Sequence, residues 1–240
     1  MSQPRFRPPW WATLGTLLLG ALFVGAGIWQ LGRAEERRAL LATFDDGASG
    51  APLPAPPPDA ALTVLRYRTI VASGRYDSDH QVLLDARTRD GQAGYEVLTP
   101  LHTAAGAILV NRGWLPADPD RSQLPDVTVD GGERTVHGLL DHLPRAALER
   151  PGEPISAWPR RLLYPDAAEI GAALGYPVSD YQVLLAPEEP DGLRRDWRPA
   201  VMTPTQHLGY AVQWFALAVA LGVIYVALNW RKPAAEPDDS

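Results

Sequence analysis

Five histidines punctuate the 240-residue chain, and one stands in unusual surroundings. His207 lies at the edge of a stretch in which no residue between Arg198 and Arg231 carries a full charge. Read as a helix, that stretch puts His207, Tyr210 and Trp214 at i, i+3 and i+7, on one face, which Ala211 and Ala218 continue with small side chains. A neutral imidazole is a common axial ligand of haem iron, and flat aromatic and small residues beside it suit a porphyrin plane. Arg194, Arg195 and Arg198 lie just outside and could meet haem propionates. An ionisable group at the edge of a span is costly, which makes it a functional candidate. The plainer alternative is an interfacial histidine bonded to water, lipid headgroups or the preceding turn.

Other chemistry is sparse. There is no G-x-S-x-G, no H-E-x-x-H, no P-loop and no Rossmann glycine fingerprint after a strand. His80, His102, His137 and His142 are scattered over expected strands and loops, none three or four residues from another, and read as surface or hydrogen-bonded groups. Asp85 and Arg112 could pair across strands, as a structural ion pair or a turn bond. The net charge of −6 and the lack of a basic stripe argue against nucleic acid as a partner. The absence of cysteine excludes disulfides and thiolate metal sites.

Two apolar stretches must position His207. The core of the closing one, Leu208 to Leu228, spans roughly 30 Å as a helix, one bilayer of hydrocarbon. The opening one, Trp10 to Leu31, is charge-free. A cleaved signal peptide is its rival reading, but the run is longer than a signal core and ends in Trp29-Gln30, which suits an interfacial anchor. Ala12, Thr16 and Gly20, then Ala21 and Gly25, recur at four-residue spacing, as do Ala216 with Ala220 and Ala218 with Gly222. Such small residues let two helices approach, and the two spans are each other's natural partner.

The mean hydropathy of −0.14 hides a polar middle between these ends. Arg33 to Leu41 reads as a helical extension, and Phe44 to Ala60, rich in Gly and Pro, as an extended spacer or loop. From Leu62 the period changes to two. Short runs around Leu65–Tyr76, Gln81–Ala86, Tyr95–Leu101, Ala107–Arg112, Arg134–Leu140 and Tyr181–Ala186, separated by turns such as Asp90-Gly91, predict an antiparallel sheet or barrel. One helix follows Asp166 as N-cap, with Glu169 three residues on and Gly175 to end it.

The fold class expected is an α+β membrane protein. Two transmembrane helices at the chain ends flank an extracytoplasmic, mainly antiparallel β domain, barrel- or sandwich-like, with a small helix. Its parts are an N-terminus at 1–9, a first span at 10–32, a helical extension and Pro-rich spacer at 33–61, the β-rich domain at 62–198, the second span with its approach at 199–230, and a tail at 231–240. Two spans put both termini on one side. The flanking arginines counted naively disfavour termini on the cytoplasmic side, but that rule weakens for a translocated loop of domain size, and cytoplasmic termini are expected.

Five segments in a fixed order carry a resemblance: Gly27-Ile-Trp-Gln-Leu-Gly-Arg33, Gly74-Arg-Tyr76, Gly94-Tyr-Glu-Val-Leu-Thr-Pro-Leu101, Val110-Asn-Arg-Gly-Trp-Leu-Pro116 and His207-Leu-Gly-Tyr-Ala-Val-Gln-Trp-Phe215. The chain resembles the surfeit-locus (SURF) family of cytochrome c oxidase assembly factors, bacterial branch, nearly end to end. Where relatives often carry Lys after the first segment, this chain has Arg37 or Arg38. The resemblance implies a protein of the bacterial plasma membrane that is not an enzyme. It implies a domain facing the periplasm and a role in handling haem a for the catalytic subunit of the oxidase, with haem A synthase as a further partner. His207 occupies the position through which bacterial relatives are thought to hold haem a; Tyr210, Gln213 and Trp214 become its neighbours at the site, with Arg198 outside. Trp29 and Gln30 are expected to abut the His207 end of the other span, and Asn111 to Trp114 to secure a strand end and turn. Two other functions stay open: a cofactor-free scaffold for the oxidase subunit, and a membrane-tethered extracytoplasmic enzyme.

Overall fold

The computed structural model describes residues 5–121, 123–145, 157–190, 193–199 and 202–231. The chain forms two compact units, one of residues 1–42 with 200–240 and one of residues 43–199. In chain order the elements are β1 (Arg5–Phe6), α1 (Trp10–Ser49), α2 (Leu62–Leu65), β2 (Thr69–Tyr76), β3 (Val82–Arg89), β4 (Gln92–Thr103), β5 (Gly106–Pro116), β6 (Glu133–His142), β7 (Arg160–Leu162), α3 (Ala167–Leu174), β8 (Val178–Leu185), α4 (Pro204–Asn229) and β9 (Trp230–Arg231).

The first unit holds the apolar part of α1, together with α4 and the short antiparallel pair β1–β9. Both helices are long and apolar enough to cross a membrane, and only 6% of the most apolar window of each is buried. A helix that leaves such a surface uncovered fits a membrane protein.

The second unit is a closed barrel. Strands run in the order β2-β6-β8-β5-β4, and β4 returns to β2. Closure depends on the length of β4. Its first half, from Gln92 to Leu98, pairs with β3, while Leu101 to Thr103 pair on to β2. A register shift between Glu96 and Leu98, followed by Pro100, lets the strand bend between these duties. Most neighbours are antiparallel, but β5 with β8 and β3 with β7 are parallel. The apolar run of β5 is explained by its two covered faces. Ile108 and Val110 join Ile70, Leu101, Val136, Leu140, Tyr181 and Val183 in one core, while Leu109 joins Val82, Leu84, Leu98 and Ile170 in another. The helix α3 starts and stops where its caps dictate: the Asp166 carboxylate accepts the Glu169 N–H at 2.9 Å, and Gly175 closes it at φ 79°.

The expected spacer from Phe44 differs. Helix α1 runs on to Ser49, because the Phe44 ring has a partner in the Tyr67 ring at 5.0 Å and the Gly47 and Ala48 carbonyls accept the Thr69 hydroxyl. Beyond it, Leu53 bridges to Ile70 and packs on the barrel core, and the Pro57 carbonyl accepts the Tyr181 hydroxyl at 3.0 Å. Proline lacks a donor but keeps its acceptor, so a Pro-rich stretch can still be stitched to a sheet. The two-residue period expected from Leu62 starts only at Thr69, after the single turn of α2.

Candidate functional site

Within the first unit, α1 and α4 pack antiparallel. The Thr13 and Tyr225 hydroxyls meet at 2.6 Å, the Phe23 and Trp214 rings at 5.8 Å, and the Gln30 and His207 side chains at 2.7 Å. Covered positions on α1 include Thr13, Thr16, Gly20, Phe23, Gly27, Gln30 and Ala34, in steps of three and four; on α4, His207, Ala211, Trp214, Ala218, Leu221 and Tyr225 do the same. That alternation is the seam of a coiled-coil-like pair. The expected four-residue spacing holds in part: Ala12, Thr16, Gly20, Ala218 and Gly222 are covered, whereas Ala21, Gly25, Ala216 and Ala220 are exposed. The close approach falls at Gly27, where a Cβ would lie 2.5–2.9 Å from Phe215 ring atoms.

The start of α4 is set by Thr203. Its side chain accepts the Gln206 N–H, Gln206 Oε1 accepts the Thr203 N–H, and Pro204 supplies the first helical residue. His207 thus sits in the first turn, 6% exposed, and with Ala211 is one of two buried residues of the helix. Its Nδ1 lies 2.7 Å from Gln30 Oε1. A carboxamide oxygen can only accept, so Nδ1 donates to it, and in the neutral ring Nε2 is the nitrogen that keeps a lone pair. That Nε2 is buried and has no partner. A buried polar atom left unsatisfied costs about 1–3 kcal/mol, and native structures rarely bear that without a reason.

The other residues singled out from the sequence are dispersed. Trp214 is half-buried against Phe23, whereas Tyr210 (45% exposed) and Gln213 turn away from the seam. Arg198 is exposed and belongs to the barrel-bearing unit. Arg194 and Arg195 are already engaged: Arg194 by Asp90 at 2.6 Å and Asp196 at 3.0 Å, Arg195 by the Glu189 and Pro190 carbonyls. An open, almost wholly apolar hollow along Val219 to Trp230 lies near the other end of α4.

In the barrel unit the expected pair of Asp85 and Arg112 gives way to other partners. Asp85 is held by Arg121, by Arg161 at 3.6 Å and by the Ala86 N–H. Burial pushes its carboxyl up, but these donors outweigh burial and hold it below the usual carboxylate range. Arg112 donates to Gln81 Oε1 at 3.0 Å and the Val127 carbonyl at 2.7 Å. A polar trio escaped sequence reasoning: Asp77 accepts the Tyr176 hydroxyl at 2.6 Å and faces His80 Nδ1 at 2.7 Å. Tyr176 is far from Asp77 in sequence and nothing in its local pattern marks the pairing. Burial raises the Asp77 carboxyl, but the Tyr176 and His80 hydrogen bonds prevail and depress it; burial and Asp77 push the Tyr176 phenol far up. His137 bonds Glu189 at 2.5 Å, and the His102 ring packs tilted against Tyr176, centroids 4.4 Å apart. Burial, then Arg66, depresses the His142 imidazole. No group of three or more metal-ligating side chains is found among the described residues.

Residues 17–219 match the model of the SURF1 family. The chain is 26% identical over 227 residues to a SURF1-like protein of Drosophila melanogaster, covering 87% of this chain and 74% of the fly protein. It is 26% identical over 243 residues to Surfeit locus protein 1 of Takifugu rubripes, covering 90% and 96%. A SURF1-like protein of Rickettsia felis is 25% identical over 228 residues, covering 89% and 94%.

Proposed function

The chain belongs to the SURF1 family, and from that premise we propose that it is a membrane-anchored assembly factor of the haem-copper (cytochrome c) oxidase that holds haem a through His207 and assists its passage to the catalytic subunit. The observation that carries this reading is the buried, unpartnered Nε2 of His207. An imidazole whose other nitrogen is engaged presents one lone pair in one direction, which suits a single axial position on iron. The helix seam keeps the ring buried and away from water, so no solvent competes for that lone pair. Trp214 is the neighbour on the seam that would border a flat ligand, with Tyr210 and Gln213 on the adjoining exposed faces of α4. Haem a is cargo here, and its iron supplies the Lewis acid that Nε2 lacks. The central domain is assigned to the periplasmic side of the plasma membrane and both termini to the cytoplasm, with haem A synthase as the donor.

The test is haem content. The full chain, purified in detergent from cells that make haem A, is expected to carry haem, and His207→Ala at least about tenfold less per protein. Equal occupancy in both would remove His207 from the site. A colourless wild-type protein, with His207→Ala still supporting oxidase assembly, would replace the reading with that of a cofactor-free scaffold.

A further inference from the structure

Resting on the assignment of His207 as the iron ligand, we infer that Gln30 is its positioning residue, a neutral carboxamide on the opposite helix that fixes both the tautomer and the direction of the imidazole. Three observations meet at this point. Gln30 Oε1 lies 2.7 Å from Nδ1 across the seam. Nε2 is buried and unpartnered. Gln206, the nearest other amide in α4, is consumed by the cap on Thr203 and is not free to take the role.

The chemistry explains why the residue is a glutamine. Free histidine in water favours the proton on Nε2, the wrong arrangement for a ligand at that nitrogen. An acceptor fixed at Nδ1 reverses the preference and frees the lone pair. Turning the amide round would place a proton on Nε2 and bury an unpaired N–H, the rarer and less tolerated kind of orphan. A carboxylate would also accept from Nδ1, but it brings a charge into an apolar span. A carboxamide gives the direction without the charge. The residue does not touch the cargo; it acts through His207, as partners behind metal-bound histidines do.

Two readouts test this, and one needs no cargo. Nitrogen-15 spectra of ¹⁵N-histidine-labelled full-length protein in detergent, free of haem, are expected to show His207 protonated on Nδ1, and Gln30→Leu to shift it to the Nε2-protonated form or to a mixture. Titration with ferric protohaem is expected to give about 10- to 100-fold weaker binding and a heterogeneous absorption spectrum for Gln30→Leu. Gln30→Glu, which restores an acceptor of the same length, is expected to recover most of the affinity. Gln30→Leu keeping both the Nδ1 tautomer and wild-type binding overturns the inference. So does Gln30→Glu keeping the Nδ1 proton and yet binding no better than Gln30→Leu, since an acceptor in place without recovery is the mark of lost packing. His207→Ala run beside them separates the two ideas: if it binds protohaem like wild type, the assignment of His207 fails, whereas if it alone loses binding, only the role of Gln30 fails.

Discussion

The barrel and the helix pair both bury side-chain nitrogen and oxygen, and Asn111 in the one and His207 in the other are treated in opposite ways. In the barrel, Asn111 is fully buried, donates to Glu96 and to Gln182 at 3.0 Å each, and accepts the Gly113 N–H. Gln182 passes the network on to the His142 carbonyl, and Gln81 serves Thr99 and Arg112 together. Between the helices, His207 is given one partner and its second nitrogen none. A buried polar group with several partners rigidifies a fold; one held half-satisfied marks a place for something else. Tyr95 probes the rule from the barrel unit, because its buried hydroxyl also lacks a hydrogen-bond partner.

Four changes would break or sharpen this contrast, ordered by expected size. Gly74→Val strikes the barrel where it closes: a Cβ at residue 74 would lie 2.0 Å from the His102 carbonyl oxygen, a backbone atom of the paired strand. A loss beyond about 4 kcal/mol, or no folded protein, is expected in denaturant titration followed by tryptophan fluorescence. Gly27→Ala strikes the helix seam, but the obstacle is the Phe215 ring, which can tilt. A cost of about 1–3 kcal/mol is expected, recovered in part by adding Phe215→Leu. Equal damage at the two glycines would mean that the seam is as unyielding as the barrel.

The third concerns pH. The Asp77 carboxyl is depressed in the folded state, so its contribution is present above its ordinary value of 3.8 and is lost as pH falls through the folded value. Stability should therefore decline below about pH 4, and Asp77→Asn should flatten that decline while lowering stability at neutral pH by about 1 kcal/mol. Melting curves taken from pH 7 to pH 3 would show it. The smallest effect is expected at Tyr95→Phe, within about 0.5 kcal/mol of wild type or slightly stabilising, since a hydroxyl without a partner is removed. A large loss there would show that the hydroxyl has a role, and the rule drawn from His207 would weaken with it.

Much of this architecture was legible in the residues. The cap at Asp166 and the stop at Gly175 located α3, period two located the long strands, and Asp90-Gly91 marked a turn that closes with φ of 48° and 77°. The meeting of Gln30 with His207 followed from two helices whose domain-side ends had to lie together, whereas Trp29, expected there as well, is exposed. What escaped was partnership at long range. Alternation says which face a residue occupies but not which strand lies beside it, so the parallel pair of β5 and β8 was invisible. Phe44 and Leu53 looked like linker residues because their partners, Tyr67 and Ile70, belong to the next element. Small residues at four-residue spacing located only part of the seam, through Thr16, Gly20 and Ala218, and missed the close approach at Gly27, where the Phe215 ring crosses.

The order of strands has a consequence during synthesis. β8 fills the gap between β5 and β6, yet it is the last barrel strand to be made. For the roughly forty residues that separate β6 from the end of β8, the nascent chain holds two open edges that invite pairing with other chains. A chain cut short in that interval is an adhesive four-stranded sheet lacking its closing strand, not a smaller stable protein.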